Sequence, residues 1–525
     1  MRPVVRNWLT GGVALLVVLV VGAWMWASVR LKPMLRERLI TAIREQYQRE
    51  IEVKDIGITL FPRFAAIIEG LAIHQKDRPG LPPLIAVNRV AVTATLSGIL
   101  SEPLRVERVA LEGLQITVPP KRQGPREPKK PKREPPRFVI TEVIADGTFL
   151  QILSKKEGKE PLTFDISKLT LHSAGTAEPM RFRATLTNPK PPGDIQSTGR
   201  FGPWENEEPG LTPVSGNYTF QNADLSYFKG IAGILSSEGQ YQGLLERIEV
   251  DGWTDTPDFM LKISGNPVQL KTQFHAIVDG TDGDTYLQPV NAQLGRSSVV
   301  ARGGVYGKPG VKGKTVALDV TVTDSRIEDM LLLAVKSKQP LMTGSMTFTT
   351  KFELPPGDQD VSMKLYLKGE FGVSSARFTS FKVQDKVDEL SQRARGQVGE
   401  EAEDERSVSN LRGRFELRSG VIRFSSLTFA VPGARVHLGG SYGLGTEELD
   451  FTGNLHTQAK VSEMTTGIKS FLLKLADPLF SKKGAGAVVP IKISGTREEP
   501  KYGLNVGQVL SRKNGKQPQT SSESR

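Results

Sequence analysis

The sequence predicts a mainly β protein, in which one N-terminal membrane-spanning helix precedes an extended antiparallel sheet with a few short amphipathic helices. Three observations predict this fold class. Glycine (52) and proline (34) are frequent among the 525 residues and aromatic residues make up only 7%, as is typical of many short strands joined by turns. Apolar and polar residues alternate along most of the chain, which is the period of half-buried strands. One uncharged segment near the N-terminus is long enough to span a bilayer.

That uncharged segment is Trp8–Val29. At about 1.5 Å per residue it reaches about 33 Å, the thickness of a bilayer core. Trp8 at one end and Trp24 and Trp26 at the other are placed for the two membrane interfaces. We expect the helix to remain as an anchor, because a signal-peptidase cut after Ala27 would place Met25 where a small residue is required.

The charges that flank the anchor leave its orientation open. Arg2 and Arg6 favour a cytoplasmic N-terminus. Four basic residues just beyond the helix favour the reverse by simple counting: Arg30, Lys32, Arg36 and Arg38.

The segment Pro33–Arg49 carries an apolar residue at every fourth position, which predicts a short amphipathic helix. This helix either caps the first end of the sheet or lies along a lipid surface, and capping is the commoner use of such a stripe. Strands follow from residue 51, and helices are predicted at Ser325–Lys336, Gln384–Arg395 and Lys460–Phe480. Candidate strands after the first hundred residues are 138–153, 162–172, 180–187, 214–221, 240–251, 259–264, 268–278, 286–293, 298–305, 315–323, 342–353 and 361–370.

A loose repeat joins an incoming and an outgoing apolar stretch through an acidic residue and a glycine, at Ile68–Gly70, Leu111–Gly113 and Ala145–Gly147. The spacing is too uneven for a solenoid, so we interpret it as a repeated strand device in one growing sheet. Between the second and third copies, segment 119–137 holds seven prolines and eight Lys or Arg against two Glu. It is predicted to be an extended, solvated linker, or alternatively a cationic tether for anionic head groups.

The clearest alternation lies near the C-terminus. In LRGRFELR, Leu411, Phe415 and Leu417 share one parity and arginine or glutamate occupies the other, and the pattern returns in ARVHLGGSYGL and ELDFTGNLH. Gly443, Gly445 and Thr446 predict a hairpin turn between the last two segments. The adjacent acids Glu447 and Glu448 are expected to be solvated turn residues. A final strand, VVPIKISGT, is predicted to close the fold.

The order FELRSGVIRFSSLTFAVPGARVHLGGSYGLGTEELDFTGNL resembles the C-terminal module of the AsmA-like proteins. The resemblance is strongest over 371–510, fair over 8–118 and weak through 138–370. It implies one inner-membrane helix with a cytoplasmic N-terminus, a long curved sheet on the periplasmic side that forms an open groove, and a role in lipid traffic between the inner and outer membranes or in outer-membrane assembly. It divides the chain into 1–30, 31–118, 119–137, 138–370, 371–510 and a disordered tail, 511–525.

We expect acyl chains of a phospholipid or a similar lipid to lie against six apolar side chains of these C-terminal strands: Phe415, Leu417, Val436, Leu438, Leu449 and Phe451. Apolar contact is not directional, so a lipid site of this kind needs no recognisable motif. The partners expected are the inner membrane, through residues 8–29, a lipid, and envelope proteins. Nucleic acid is not expected, because six of the twelve net positive charges lie in the linker. The alternative function is an envelope scaffold with a closed β core that binds proteins.

No catalytic, cofactor or metal site is predicted, and an enzyme is the third and least favoured class. The segment KPGVKGKT at 308–315 lacks the first glycine of a phosphate-binding loop and precedes a strand-like stretch. DGTDGD at 279–284 lacks two of the calcium-loop ligands, so a hairpin turn explains it better. The five histidines are widely spaced, and there is no cysteine.

Overall fold

The computed structural model describes Glu37, Thr41 and residues 50–505, with gaps at 60–63, 76–79, 120–137, 154–160, 175–177, 206–207, 397–406 and 461–485. The predicted membrane helix with Trp8, Trp24 and Trp26, nearly all of helices Pro33–Arg49 and Lys460–Phe480, most of the linker and the tail lie outside the described residues. Among those that are described, no helix has the length and apolar character that membrane crossing requires.

The described chain is mainly β, as predicted, and it divides into two compact units. Unit 1 contains residues up to 221 together with 238–251 and 277–284, and unit 2 contains 222–237, 252–276 and the residues from 285 onward. The strands of the first part of the chain are β1 (Ile51–Glu52), β2 (Asp55–Thr59), β3 (Phe64–Ile73), β4 (Ile85–Ala94), β5 (Leu104–Glu112), β6 (Gln115–Val118), β7 (Phe138–Ile152), β8 (Leu162–Ala174), β9 (Met180–Pro189), β10 (Pro192–Phe201) and β11 (Pro213–Asp224).

Two strand pairs of unit 1 correct the expectation of a purely antiparallel sheet. β5 and β6 both run parallel to β7, with Leu104 opposite Phe138 and Gln115 opposite Phe149, whereas the other strand pairs described in this unit are antiparallel. Parallel neighbours require a connection of a dozen or more residues that returns the chain to the same end of the sheet. Segment 119–137 provides that length, so it joins neighbouring strands of one sheet.

The acidic-residue and glycine repeat lies at one level of this sheet. Glu69 pairs with Arg89, Arg89 with Glu112, and Glu112 with Asp146, so the three copies lie at one level of the sheet on β3, β5 and β7, with β4 between the first two. The glycine that follows each acid has a positive φ, between 62° and 67°. Since this left-handed conformation is strained for residues with a Cβ, the repeat places a glycine where β3 and β7, and the link between β5 and β6, require a positive φ.

Unit 1 buries a continuous apolar core. Phe64, Ile68, Val92 and Val143 are almost completely buried, and they pack with Ile99, which is fully buried on the short helix α1 (Leu96–Leu100). Thr95 caps this helix, because its Oγ1 accepts a hydrogen bond from the Gly98 amide. The helix therefore covers part of the apolar side of the sheet.

The later strands are β12 (Ile231–Ala232), β13 (Ile234–Leu244), β14 (Arg247–Thr256), β15 (Met260–Leu261), β16 (Leu270–Val278), β17 (Thr285–Leu294), β18 (Ser297–Gly307), β19 (Lys314–Arg326), β20 (Met342–Leu354), β21 (Tyr366–Phe378), β22 (Ser409–Arg418), β23 (Val421–Val431), β24 (Ala434–Gly443), β25 (Glu448–Thr457), β26 (Ala487–Thr496) and β27 (Pro500–Leu504). From β17 onward each strand pairs antiparallel with the next. Helices α2 (Ile327–Ala334), α3 (Val361–Lys364) and α4 (Phe381–Ala394) interrupt the series, and single 3₁₀ turns occur at Pro209–Leu211 and Leu225–Tyr227.

Most strand and helix predictions after residue 137 are confirmed to within a few residues. Some details are wrong. The predicted strand 240–251 crosses the turn between β13 and β14, 259–264 contains only the two-residue strand β15 and then a turn, and 361–370 begins with helix α3. β27 follows the strand that was predicted to be the last, and β10 was not expected. β10 contains Asp, Gln, Ser, Thr and Arg with few apolar residues, so its alternation is weak.

Candidate functional site

The predicted C-terminal hairpin forms with the expected register. Tyr442 lies opposite Leu449 and Val436 lies opposite Leu455, while Ser441 lies opposite Asp450. Because side chains alternate across a strand, the apolar members of each pair project to one face and the polar members to the other.

The same separation continues across nine strands, β19 to β27. Following each cross-strand pair to the next strand gives four rows, which together define the apolar face of unit 2. They contain no charged residue: Met346, Val373, Leu411, Phe429, Val436, Leu455, Val489; Val322, Phe348, Phe371, Gly413, Leu427, Leu438, Gly453, Ile491, Leu504; Val320, Thr350, Gly369, Phe415, Phe424, Gly440, Phe451, Ile493, Tyr502; and Leu318, Phe352, Leu367, Leu417, Ile422, Tyr442, Leu449, Gly495.

Phenylalanine rings form a connected series on this face. The Phe415 ring centroid lies 5.6 Å from that of Phe348 in a stacked arrangement and 6.2 Å from that of Phe371. Phe371 contacts Phe424 at 6.3 Å, and Phe424 contacts Phe451 at 5.7 Å. These separations are in the range of favourable aromatic pairs, so rings from five different strands support one another.

Glycines between the rings allow them to lie close to the sheet. A Cβ on Gly413 would lie 2.6 Å from Cε1 and 2.8 Å from Cζ of Phe371, so this ring lies over the glycine. A Cβ on Gly440 would lie 2.8 Å from Cδ1 of Phe451. Ring faces therefore form part of the apolar surface at positions where a larger residue would hold them away.

Two helices of unit 2 pack against the first of the four rows. Ile327 of α2 is buried with Met346 and Val373, and Val387 and Ala394 of α4 are buried near Phe429 and Leu455. Buried polar contacts hold α4 in place, since Gln384 accepts a hydrogen bond from the Phe378 amide and donates to the Ser407 carbonyl oxygen. The other rows contain many half-buried apolar residues: Phe348, Phe352, Leu367, Phe371, Ile422, Phe424, Leu427, Ile491 and Ile493.

All six residues predicted to contact lipid lie on this apolar face. Phe415, Leu417, Val436 and Phe451 are buried, with at most 9% of each side chain exposed, and Leu438 and Leu449 are half-buried. The sequence reasoning missed three phenylalanines that complete the ring series, Phe348 of β20, Phe371 of β21 and Phe424 of β23. Phe348 shares the parity of Met346, and Phe371 that of Val373, so a signal for these two was available in the sequence.

The opposite face of β19 to β27 carries charged and polar residues. Arg414 pairs with Glu370 at 3.6 Å and Lys368 with Glu416 at 4.0 Å, both at exposed positions where such pairs contribute little to stability. The His437 and His456 rings are 5.5 Å apart. Within the described part of the chain, no group of three or more His, Cys, Asp or Glu side chains is arranged to hold a metal ion.

At one end of the apolar face the polar residues differ from the sequence expectation. Glu447 was expected to be a solvated turn residue, yet only 29% of its side chain is exposed and its Oε1 lies 3.2 Å from Nη2 of Arg497. Tyr442 is close to both residues, and burial raises its pKa, with a further increase from Glu447 and an opposing effect from Arg497. The sequence could not show this cluster, because strand register alone brings Arg497 beside the turn.

Neither a protein-family model, nor a curated protein, nor a solved structure matches the chain. The resemblance to the AsmA-like proteins therefore rests on the sequence pattern described above and stays a prediction.

Proposed function

We propose that this chain is an AsmA-like, membrane-anchored protein that holds phospholipid acyl chains on the apolar face of unit 2. In this proposal, residues 8–29 anchor it in the inner membrane of a bacterium, with the remainder in the periplasm. It carries lipid between the inner and outer membranes or contributes to outer-membrane assembly, and it has no catalytic role.

The observation that carries the proposal is the one-sided chemistry of β19 to β27. Four rows of side chains without a charge, many of them half-buried, offer contact to hydrocarbon, and only Thr350, Tyr442 and Tyr502 among them carry a hydroxyl group. Each methylene removed from water contributes about 0.8 kcal/mol, so an acyl chain of about 16 carbons has enough apolar surface to offset the cost of association.

The alternative is an envelope scaffold with a closed core. Burial of Phe415, Leu417, Val436 and Phe451 favours this function, because these four side chains already contact protein atoms. The two proposals differ at the half-buried positions, which contact lipid in the first and stay in contact with protein or water in the second.

Site-specific photo-crosslinking in cells distinguishes the two proposals. Benzoylphenylalanine introduced in place of Leu438 or Leu449 is expected to crosslink to lipid, because both residues lie on the apolar face. The matched controls are the adjacent residues His437 and Asp450 on the opposite face, which are expected to give no lipid adduct. Absence of lipid at all four positions, with protein adducts at the control positions, would support the scaffold.

A second experiment uses charge. Leu438→Glu places a carboxylate on the apolar face and is expected to reduce the lipid that copurifies with the full chain, whereas His437→Glu is expected to leave it unchanged. Equal lipid content in both variants would contradict the proposed function, provided that both have the thermal stability of the original chain.

A further inference from the structure

An ion pair borders the last row of the apolar face. Tyr442, Leu449 and Gly495 are neighbours in this row, and Glu447 and Arg497 lie two residues along the chain from Leu449 and Gly495, just past the last strand pair, Glu448 and Thr496. The Arg497 amide donates a hydrogen bond to the Glu447 carbonyl oxygen at 2.9 Å. Both charged side chains are close to Tyr442 of the last row, so the pair lies beside the apolar face.

Two features of this ion pair lower the stability of the fold, and an ordinary hairpin turn would need neither of them. Glu447 has a φ of +57°, in the left-handed region where glycine or asparagine forms a turn with less strain. The Nε atom of Arg497 is buried and has no hydrogen-bond partner among the residues that the structure describes. An unpaired buried donor destabilises a fold by about 1 to 3 kcal/mol, and more when the group is charged.

This inference rests on the proposed function. We propose that Tyr442, Glu447 and Arg497 bind the zwitterionic head group of a phospholipid. Its acyl chains lie along the last row, against the half-buried Leu449 and Ile422. The Arg497 guanidinium, whose side chain is 28% exposed, contacts the phosphate. The Glu447 carboxylate accepts a hydrogen bond from the ammonium group of the lipid. The Tyr442 hydroxyl is protonated at neutral pH, as an ordinary tyrosine is, and donates to the phosphate.

The charge balance of the cluster favours a zwitterion over an anion. Glu447 and Arg497 form a pair 3.2 Å apart with no net charge, so each half of a phosphoethanolamine group meets an opposite charge. A phosphatidylglycerol head group carries only a negative charge. It would pair with Arg497 and leave the Glu447 carboxylate without a positive partner. The cluster therefore discriminates between lipids that have identical acyl chains.

The test is native mass spectrometry of the full chain in mild detergent, with equal amounts of phosphatidylethanolamine and phosphatidylglycerol that carry the same acyl chains. The original chain is expected to bind phosphatidylethanolamine in preference. Glu447→Gln is expected to shift the ratio about tenfold toward phosphatidylglycerol, the equivalent of one charge-assisted hydrogen bond. Glu447→Gly should give the same shift in a chain that folds without strain at this position, since glycine accepts the positive φ.

Arg423→Gln is the matched control, because Arg423 is exposed on the opposite face of the same sheet, and it should leave the ratio unchanged. Glycerophosphoethanolamine, which has the head group without acyl chains, should not compete; competition would mean that the site acts apart from the apolar face. Binding of both lipids with equal preference in all variants would overturn the head-group site while leaving the proposed function intact. Binding of neither lipid would instead contradict the proposed function.

Discussion

Substitution of Gly413 by alanine tests whether phenylalanine rings lie against the sheet on the apolar face. Gly413 is opposite Phe371 on one side and Leu427 on the other. The added Cβ would be 2.6 Å from Phe371 Cε1 and 3.2 Å from Leu427 Cδ1, well inside normal contact distance. The Phe371 ring must therefore move away from the sheet, and it loses its present contacts with Phe415 and Phe424.

The expected net destabilisation from Gly413→Ala is about 1 kcal/mol. Each aromatic pair contributes about 0.5 to 1.5 kcal/mol, so losing both costs about 2 kcal/mol. Alanine offsets about 0.4 to 1 kcal/mol of this loss, because it restricts the conformations of the unfolded chain. The folded chain can accept alanine here, since the φ of Gly413 lies outside the left-handed region. The lost aromatic contacts outweigh this gain, so the substitution is expected to destabilise the fold.

Hydrogen exchange of peptides from β21 to β24 measures this change locally, which avoids assuming that a chain with two units unfolds in one step. Gly503→Ala is the control, since nothing lies within 4 Å of a Cβ there, and it should leave protection equal or slightly higher. Phe371→Leu should remove most of the cost of Gly413→Ala. Additive effects of the two substitutions, or unchanged protection in Gly413→Ala alone, would refute the proposed ring position.

Three further predictions concern stability. Gly147→Ala should cost about 1 kcal/mol from its φ of +66° alone, and Gly113→Ala should cost more, because its Cβ would also overlap the Asn88 side chain; thermal melts of the two variants provide the comparison. Asn266→Ala removes donors to three carbonyl oxygens at the end of α2 and should cost about 1 to 3 kcal/mol, seen as faster exchange of that helix. Because the Tyr442 pKa is raised, its contribution to stability is complete below its ordinary value of 10.0 and falls at higher pH, so Tyr442→Phe should reduce the alkaline loss of thermal stability.

The sequence was sufficient for the strands in which period-two alternation is uninterrupted. Residues 411–418 and 434–457 show this, because a half-buried strand imposes the same parity on each neighbour. The parallel pairing of β5 with β7 could not be predicted in the same way. It depends on the path of the intervening chain, and alternation is identical in parallel and antiparallel pairs.

The ion pair between Glu447 and Arg497 was missed for a related reason. Turn residues are usually solvated, and local sequence gave Glu447 no partner. Arg497 reaches it only because β25 and β26 pair with Glu448 opposite Thr496, which fixes the next position along both chains. Register is a property of two strands together, so a charged site built across strands carries no local motif.

Strand β23 shows how the apolar face is maintained where simple alternation fails. Its residues in the four rows are Ile422 and Phe424, then Leu427 and Phe429, so the parity changes within the strand. The register shifts at this point, with Phe415 opposite Phe424 and Arg414 opposite Ser426, which leaves Ser425 as an extra residue in a bulge. Without the extra residue, one half of the strand would turn its apolar side chains to the polar face. The bulge thus keeps all four residues on one side, and the uncharged rows continue from β22 to β24.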